Sequence, residues 1–359
     1  MVVAMLIACL LFPALAGAAV DVGVYYYPGW RDDTPGSRNA RPWDELRRFP
    51  EREPKLGYYA EGGVAVMNQQ LAWMADAGLG FVVFDWYWNN KLGTLQSHAL
   101  SAYYKTSNRS RIRHAILWAN HTEFPEAAGE FENMVRYWRF YFRQPDYLRI
   151  DDKPVVFVFS AQLLEARARR FNSNTAELLR AARAIAREEG FPGIYFVGGA
   201  GAGDAAVGLY GDPEQGGYDA FSAYNYHGGA AYPGGHTESH SYAELDAGYR
   251  EQWKWMLANA KVPYILPMTS GWDMRPWGGS RDPQHDDSLS TPDEFERHLL
   301  AGKALLETQR GRTRGMGVIC CWNEFGEGSF IEPTAKDGDA MLARVRRVFG
   351  AAKPATSGR

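Results

Sequence analysis

Eight short, continuously apolar runs recur along the 359-residue chain, at 22–27, 80–88, 113–119, 154–160, 193–199, 219–225, 262–268 and 316–322. They are rich in Val, Ile, Phe and Tyr and lack the in–out alternation of a half-solvated strand. Strands of that kind are covered on both faces, as in a parallel sheet. Amphipathic segments separate them. Residues 64–77 carry apolar positions at helical spacing and stop at Gly78; 126–143 and 163–188 follow the same pattern, the latter stopping short of Gly190. Ser241 to Glu244 and Thr291 to Glu294 read as capping boxes opening helices 242–259 and 292–309. Residues 203–209 are too short and Gly/Ala-rich to promise a helix. The pattern predicts an α/β fold, a (β/α)8 TIM-type barrel over residues 20–350. The alternative is a doubly wound sheet, which rarely needs eight strands so evenly spaced.

The termini lie outside this pattern. Residues 2–20 are apolar and uncharged, and Ala16-Gly17-Ala18 offers small residues for cleavage, so 1–19 is expected to be a signal peptide of a secreted or periplasmic protein. No Lys or Arg precedes the run, and an uncleaved membrane anchor is the alternative. Residues 351–359 are expected to form a disordered tail. Cys320 and Cys321 are adjacent in an apolar run, where neighbouring side chains point to opposite faces; they are expected to be unbridged core residues.

In such a barrel the chemistry sits past the C-terminal strand ends. Seven of the 12 Trp fall there: Trp30, Trp86, Trp88, Trp118, Trp272, Trp277 and Trp322. Amides and carboxylates stand beside them, in Asp85, Asn120, Asn225, Asp273 and Asn323, with Tyr26, Tyr224 and Arg275. Aromatic faces stack on sugar C–H faces, and amides and carboxylates take up hydroxyls. These residues are the expected carbohydrate-binding set, except Trp277, which is noted only for its position. Glu324 and Glu327, three apart with Gly326 and Gly328 between and after them, are the expected catalytic pair. Hydrolysis of a glycosidic bond needs two carboxyls in different roles. The bland alternative is an ordinary acidic loop.

The run from Trp322 to Gly328, followed by Ile331-Glu332-Pro333, resembles the family 99 glycoside hydrolases, the endo-α-mannosidases and endo-α-mannanases. It also resembles their relatives, the WbsX-like proteins of bacterial polysaccharide loci. Leu56-Gly57-Tyr58-Tyr59, the 80–88 strand, Trp118-Ala119-Asn120 and Asp152-Lys153-Pro154 extend the likeness over roughly residues 22–348. The resemblance implies a (β/α)8 barrel and hydrolysis with retention. It makes Glu324 the base acting on the sugar 2-hydroxyl, which closes a 1,2-anhydro intermediate, and Glu327 the acid/base. Family 99 carries Trp-His between the two Glu; here Phe325-Gly326 stand there, nearer the WbsX-like pattern.

Lys and Arg number 39 against 42 Asp and Glu, a net charge of −3, which excludes a general nucleic-acid binder. No cofactor and no metal is expected. Residues 201–206 imitate a dinucleotide fingerprint but do not open a βαβ unit. His236 and His240 precede the helix capped at Ser241 and lack a third ligand in the sequence. Asp282, Asp286 and Asp287 read as a solvated acidic loop. The expected activity is a monomeric, endo-acting retaining glycoside hydrolase on a polysaccharide or glycan. The alternatives are a glycosyltransferase or polysaccharide-assembly protein, and a non-catalytic carbohydrate-binding barrel.

Overall fold

The computed structural model describes residues 20–31, 41–226, 232 and 234–350. The expected signal peptide and C-terminal tail lie outside them. All eight runs form parallel strands: β1 (Asp21–Tyr26), β2 (Phe81–Asn89), β3 (Arg113–Trp118), β4 (Lys153–Val158), β5 (Tyr195–Gly199), β6 (Ala220–Ser222), β7 (Leu266–Thr269) and β8 (Met316–Cys320). Each pairs with its sequence neighbour from β1 to β6, and β8 lies between β1 and β7. A parallel bridge from Phe221 to Tyr264, just ahead of β7, completes the circuit. Phe221 N donates to Pro263 O at 2.9 Å and Ile265 N to Phe221 O at 2.9 Å. The fold is therefore the (β/α)8 barrel, its strands buried on both faces.

The helices follow the amphipathic segments, with corrections. The 126–143 segment divides at Trp138 into Ala128–Tyr137 and Arg139–Phe142. The 163–188 segment breaks as well, into Ala161–Ala168 and Thr175–Glu188. Asn172 takes a left-handed φ of 54°, and Asn174 caps the second piece by accepting from Glu177 N. Polar side chains that cap or turn outcompete helix continuation there. Residues 205–209 do form a short helix, capped by Asp204. No helix of the described residues is long and apolar enough to cross a membrane.

Two caps differ in kind. Thr291 makes the full reciprocal box: its Oγ1 accepts from Glu294 N, and the Glu294 carboxylate accepts from Thr291 N. At Ser241 only the first half forms. The Glu244 carboxylate accepts from His240 N at 2.8 Å, one residue earlier than a box requires.

Cys320 and Cys321 correct the sequence expectation. They form a disulfide across a cis peptide, with Cα atoms 2.9 Å apart. The opposite-face argument assumed the trans peptide of a regular strand.

Thr291→Ala should lower unfolding free energy by about 1 kcal/mol, the usual worth of such a cap, with unchanged activity. Urea denaturation measures it; no loss of stability would mean that the cap is redundant.

Candidate active site

Strand parity sorts the candidates. Successive side chains of β2 point to opposite faces. Asp85 and Tyr87 turn to the barrel interior. Trp86 and Trp88 turn outward, where Trp86 Nε1 donates to Tyr141 Oη at 2.9 Å and the two indoles stack at 5.6 Å. In β1, Tyr25 packs inside against Phe157 and Tyr224. Tyr26 points out and donates to Gln70 of the Val64–Asp76 helix. Tyr27, of the same parity as Tyr25, is partly exposed beside the carboxyl cluster described next.

Beyond β8 the chain makes a small hairpin in which Asn323–Glu324 pairs antiparallel with Ser329–Phe330. Glu324 is on the strand and Glu327 in the loop between. Gly328 supplies the left-handed corner at φ 73°, and a Cβ on Gly326 would collide with the Trp277 ring. Phe325 is fully buried and packs on Trp30.

The hairpin brings Glu324 to Tyr224 and Asp85. Tyr224 Oη lies 2.8 Å from Glu324 Oε1 and 3.0 Å from Asp85 Oδ2. One phenolic hydrogen serves one acceptor, so the second carboxyl must carry a proton and donate back to the phenol oxygen. Electrostatics agree. Burial first, then the charges of Glu327 and Asp85, hold the Glu324 carboxyl well above the usual range. Burial does the same to Asp85, opposed by the Tyr224 hydrogen bond. Glu327, partly exposed, is pushed up to about 7 by burial. Asp85 Oδ1 and Glu324 Oε2 are buried and have no hydrogen-bond partner among the described residues. These two oxygens keep unused hydrogen-bonding capacity beside the partly exposed Glu327 carboxyl.

The other expected site residues lie elsewhere or brace this cluster. Six of the seven tryptophans (Trp30, Trp86, Trp88, Trp118, Trp272 and Trp322) are buried, so their faces are covered by protein rather than open to a sugar. Trp30 stacks on Trp43 at 4.4 Å, Trp118 packs on Phe124, and Trp272 lies over His285. Only Trp277 among them is partly exposed. Asn120 bridges β3 to Ser160 through both its amide groups, at 2.9 and 3.0 Å. Asn225 is held by Tyr249 and Ser329. Asn323 accepts from Tyr27 N and donates to Tyr27 O, both at 2.9 Å, and its own carbonyl accepts from Trp30 Nε1 at 2.7 Å. It fastens the end of β1 to the end of β8.

Asp273 is fully buried and ion-paired with Arg52 and Arg275. Arg275, with a side chain 53% exposed, is the one of the three that remains open to solvent.

Several contributors were not among the expected site residues. Arg52 donates to Asp273 O at 2.9 Å and Phe325 O at 2.8 Å besides its ion pair, tying three loops together. Glu61 accepts from Trp30 N at 3.0 Å and lies 3.0 Å from His98 Nε2. Glu332 accepts from Tyr59 Oη at 2.9 Å and Gln70 Nε2 at 3.1 Å, and burial raises it to about 8. Tyr59 belongs to the 56–59 motif and Glu332 to the 331–333 motif, so the two meet in space. Tyr27 and Tyr87 were the readable omissions, since parity counted from Asp85 selects Tyr87 over Trp86.

The class that fold and site define is a (β/α)8 barrel with a buried carboxyl cluster at the C-terminal ends of its strands. The chain belongs to the family described as glycosyltransferase WbsX, whose model matches residues 38–345. No curated protein matches it in sequence. Among solved structures it is similar to a "Glycoside hydrolase-like protein", with TM-score 0.62 and 14% identity over 95% of this chain and 97% of that one. It is also similar to the GH99 endo-alpha-mannosidase of Bacteroides thetaiotaomicron, at TM-score 0.58 and 17% identity over 91% and 95% of the two chains. A family 39 glycoside hydrolase from Bacteroides cellulosilyticus WH2 follows at TM-score 0.51 and 13% identity, over 93% of this chain and 64% of that one.

Arg52→Met should destabilise the protein by roughly 2–4 kcal/mol, because Asp273 keeps only the solvent-exposed Arg275 as counter-charge and the Asp273 and Phe325 carbonyls lose their buried donor. Denaturant unfolding checks this; a change under about 1 kcal/mol would mean that the pair is not the clamp described.

Proposed function

We propose that this protein is a glycoside hydrolase acting on a polysaccharide or glycan, exported by its N-terminal segment. The observation that carries the reading is the Asp85–Tyr224–Glu324 hydrogen-bond chain with Glu327 on the adjoining loop. It supplies carboxyls of different burial, one holding a proton near neutral pH. The partly exposed rings of Tyr27, Tyr87 and Trp277, rather than the buried tryptophans, are the stacking faces in this reading.

In the reactive form Asp85 carries the proton shared at Tyr224 and Glu324 is ionised. Following the likeness to family 99, Glu324 takes the proton of the sugar 2-hydroxyl as O2 closes on C1. Glu327 gives its proton to the departing glycosidic oxygen. Water then opens the 1,2-anhydro ring at C1, with Glu327 as base and Glu324 returning the proton to O2. The neighbouring hydroxyl is already held at the carbon it attacks, so no enzyme carboxylate has to reach it. A second reading, glycosyl transfer, has the family's description in its favour. It requires an activated donor.

Glu324→Gln and Glu327→Gln should each reduce hydrolysis of a responsive glycan by roughly a hundred- to ten-thousand-fold. Wild-type turnover in both variants would refute the roles, and transfer only with an activated sugar donor would favour the second reading.

The pH profile follows from Glu327. Its carboxyl must be protonated to act as the acid, so kcat/KM should fall on an alkaline limb as pH rises through about 7, while ionisation of Glu324, whose burial raises its proton affinity, sets the acidic limb. A profile flat across that point would exclude Glu327 as the acid.

A further inference from the structure

We propose that His236, His240 and Glu244 form a binding site for a divalent transition metal of the Zn2+ class. The site joins the segment after β6 to the start of the Tyr242–Asn259 helix. One donor atom from each residue lies within 4.8 Å of the other two, and all three residues are partly buried. The third ligand that the sequence spacing lacked is the helix residue Glu244. Its carboxylate is already turned back over His240, because it accepts from His240 N at 2.8 Å.

Among the described residues, each imidazole has one nitrogen in a hydrogen bond and the other without one. His236 Nδ1 lies 2.6 Å from Glu238 O, so it carries the proton and leaves the Nε2 lone pair, 3.7 Å from Glu244 Oε1. His240 Nε2 lies 2.8 Å from Asp282 Oδ2, so it donates there and leaves Nδ1. Metal-bound histidines are typically held this way, the second nitrogen donating to a carbonyl or carboxylate that fixes tautomer and ring angle. The rings lie face to face, 3.7 Å apart and 10° from parallel. Tetrahedral ligation places donors about 3.4 Å from one another, so binding turns the rings out of the stack by about an ångström at the donor atoms.

Two imidazole nitrogens and one carboxylate suit Zn2+ and its neighbours rather than Ca2+ or Mg2+, which take shells of oxygen. Three protein ligands leave a fourth position for water, with Asp282 in the outer shell. Tyr224 and Asn225 lie just upstream of this segment. The inference does not depend on the proposed hydrolysis, because its readout is metal bound per chain.

The test is Zn2+ titration of the full chain, free of any histidine tag and stripped with EDTA, in competition with a chromophoric chelator. The wild type should bind one equivalent. The His236→Ala/His240→Ala double variant should bind none, and Glu244→Gln, which can still accept from His240 N, should bind at least about tenfold more weakly. Asp282→Asn should weaken binding by about tenfold through the outer shell. Circular dichroism establishes that each variant is folded. If the double variant is not, Glu244→Gln and the visible spectrum of Co2+-loaded wild type decide. A tetrahedral spectrum that Glu244→Gln loses supports the site. No zinc uptake by the wild type, or uptake unchanged in the folded variants, would overturn it.

Discussion

A strand covered on both faces must send alternate side chains to two different environments, and much of this molecule depends on that division. In β1 it sends Tyr25 into the barrel and Tyr26 to the helix layer. In β2 it delivers Asp85 and Tyr87 to the interior while Trp86 and Trp88 fill the gap toward the 128–142 helices. Because the period is two, the polar groups of the site and the indoles that support it occupy the same few residues and still never compete for space. The indoles contribute by excluding water. The carboxyls inside then sit where ionisation is unfavourable, which is the source of their raised proton affinity.

The hairpin after β8 converts this environment into a candidate catalytic arrangement. Glu324 is fixed by strand pairing, whereas Glu327 rides on a four-residue loop whose corners require glycine. The braces are polar and buried: Asn323 to the Tyr27 backbone, and Arg52 to Asp273 and to the Phe325 carbonyl. Buried charge of this kind stabilises only while every partner is present, so these residues fix geometry more than they add net stability. They account for positions that looked like sugar ligands, Asp273 and Asn323, whose hydrogen-bonding capacity is consumed by the protein itself.

The eight strands, their order and the helices between them were legible because hydrophobic period and length are local properties. So was the Glu324/Glu327 motif. The misreadings have separate causes. The aromatic rim was placed at the correct strand ends, but six of its indoles are buried, and no local signal tells an open ring from a covered one. The break at 169–174 lay in an Ala/Arg-rich stretch whose Asn residues turn the chain. Cys320 and Cys321 were read through trans geometry.

What the sequence determined by itself was the architecture and the end of the barrel where chemistry belongs, since both follow from the alternation of apolar runs with amphipathic segments. Tertiary structure alone decided which polar groups meet. Tyr224 finds Asp85 across 139 positions and Glu324 across 100, and Arg52 finds Asp273 across 221. Glu244, a capping residue by sequence, faces two histidines because the chain turns back on the helix start. The physical reason is the same in each case: proton affinity, ligation and ion pairing depend on distances through space, and those are set only when the barrel closes.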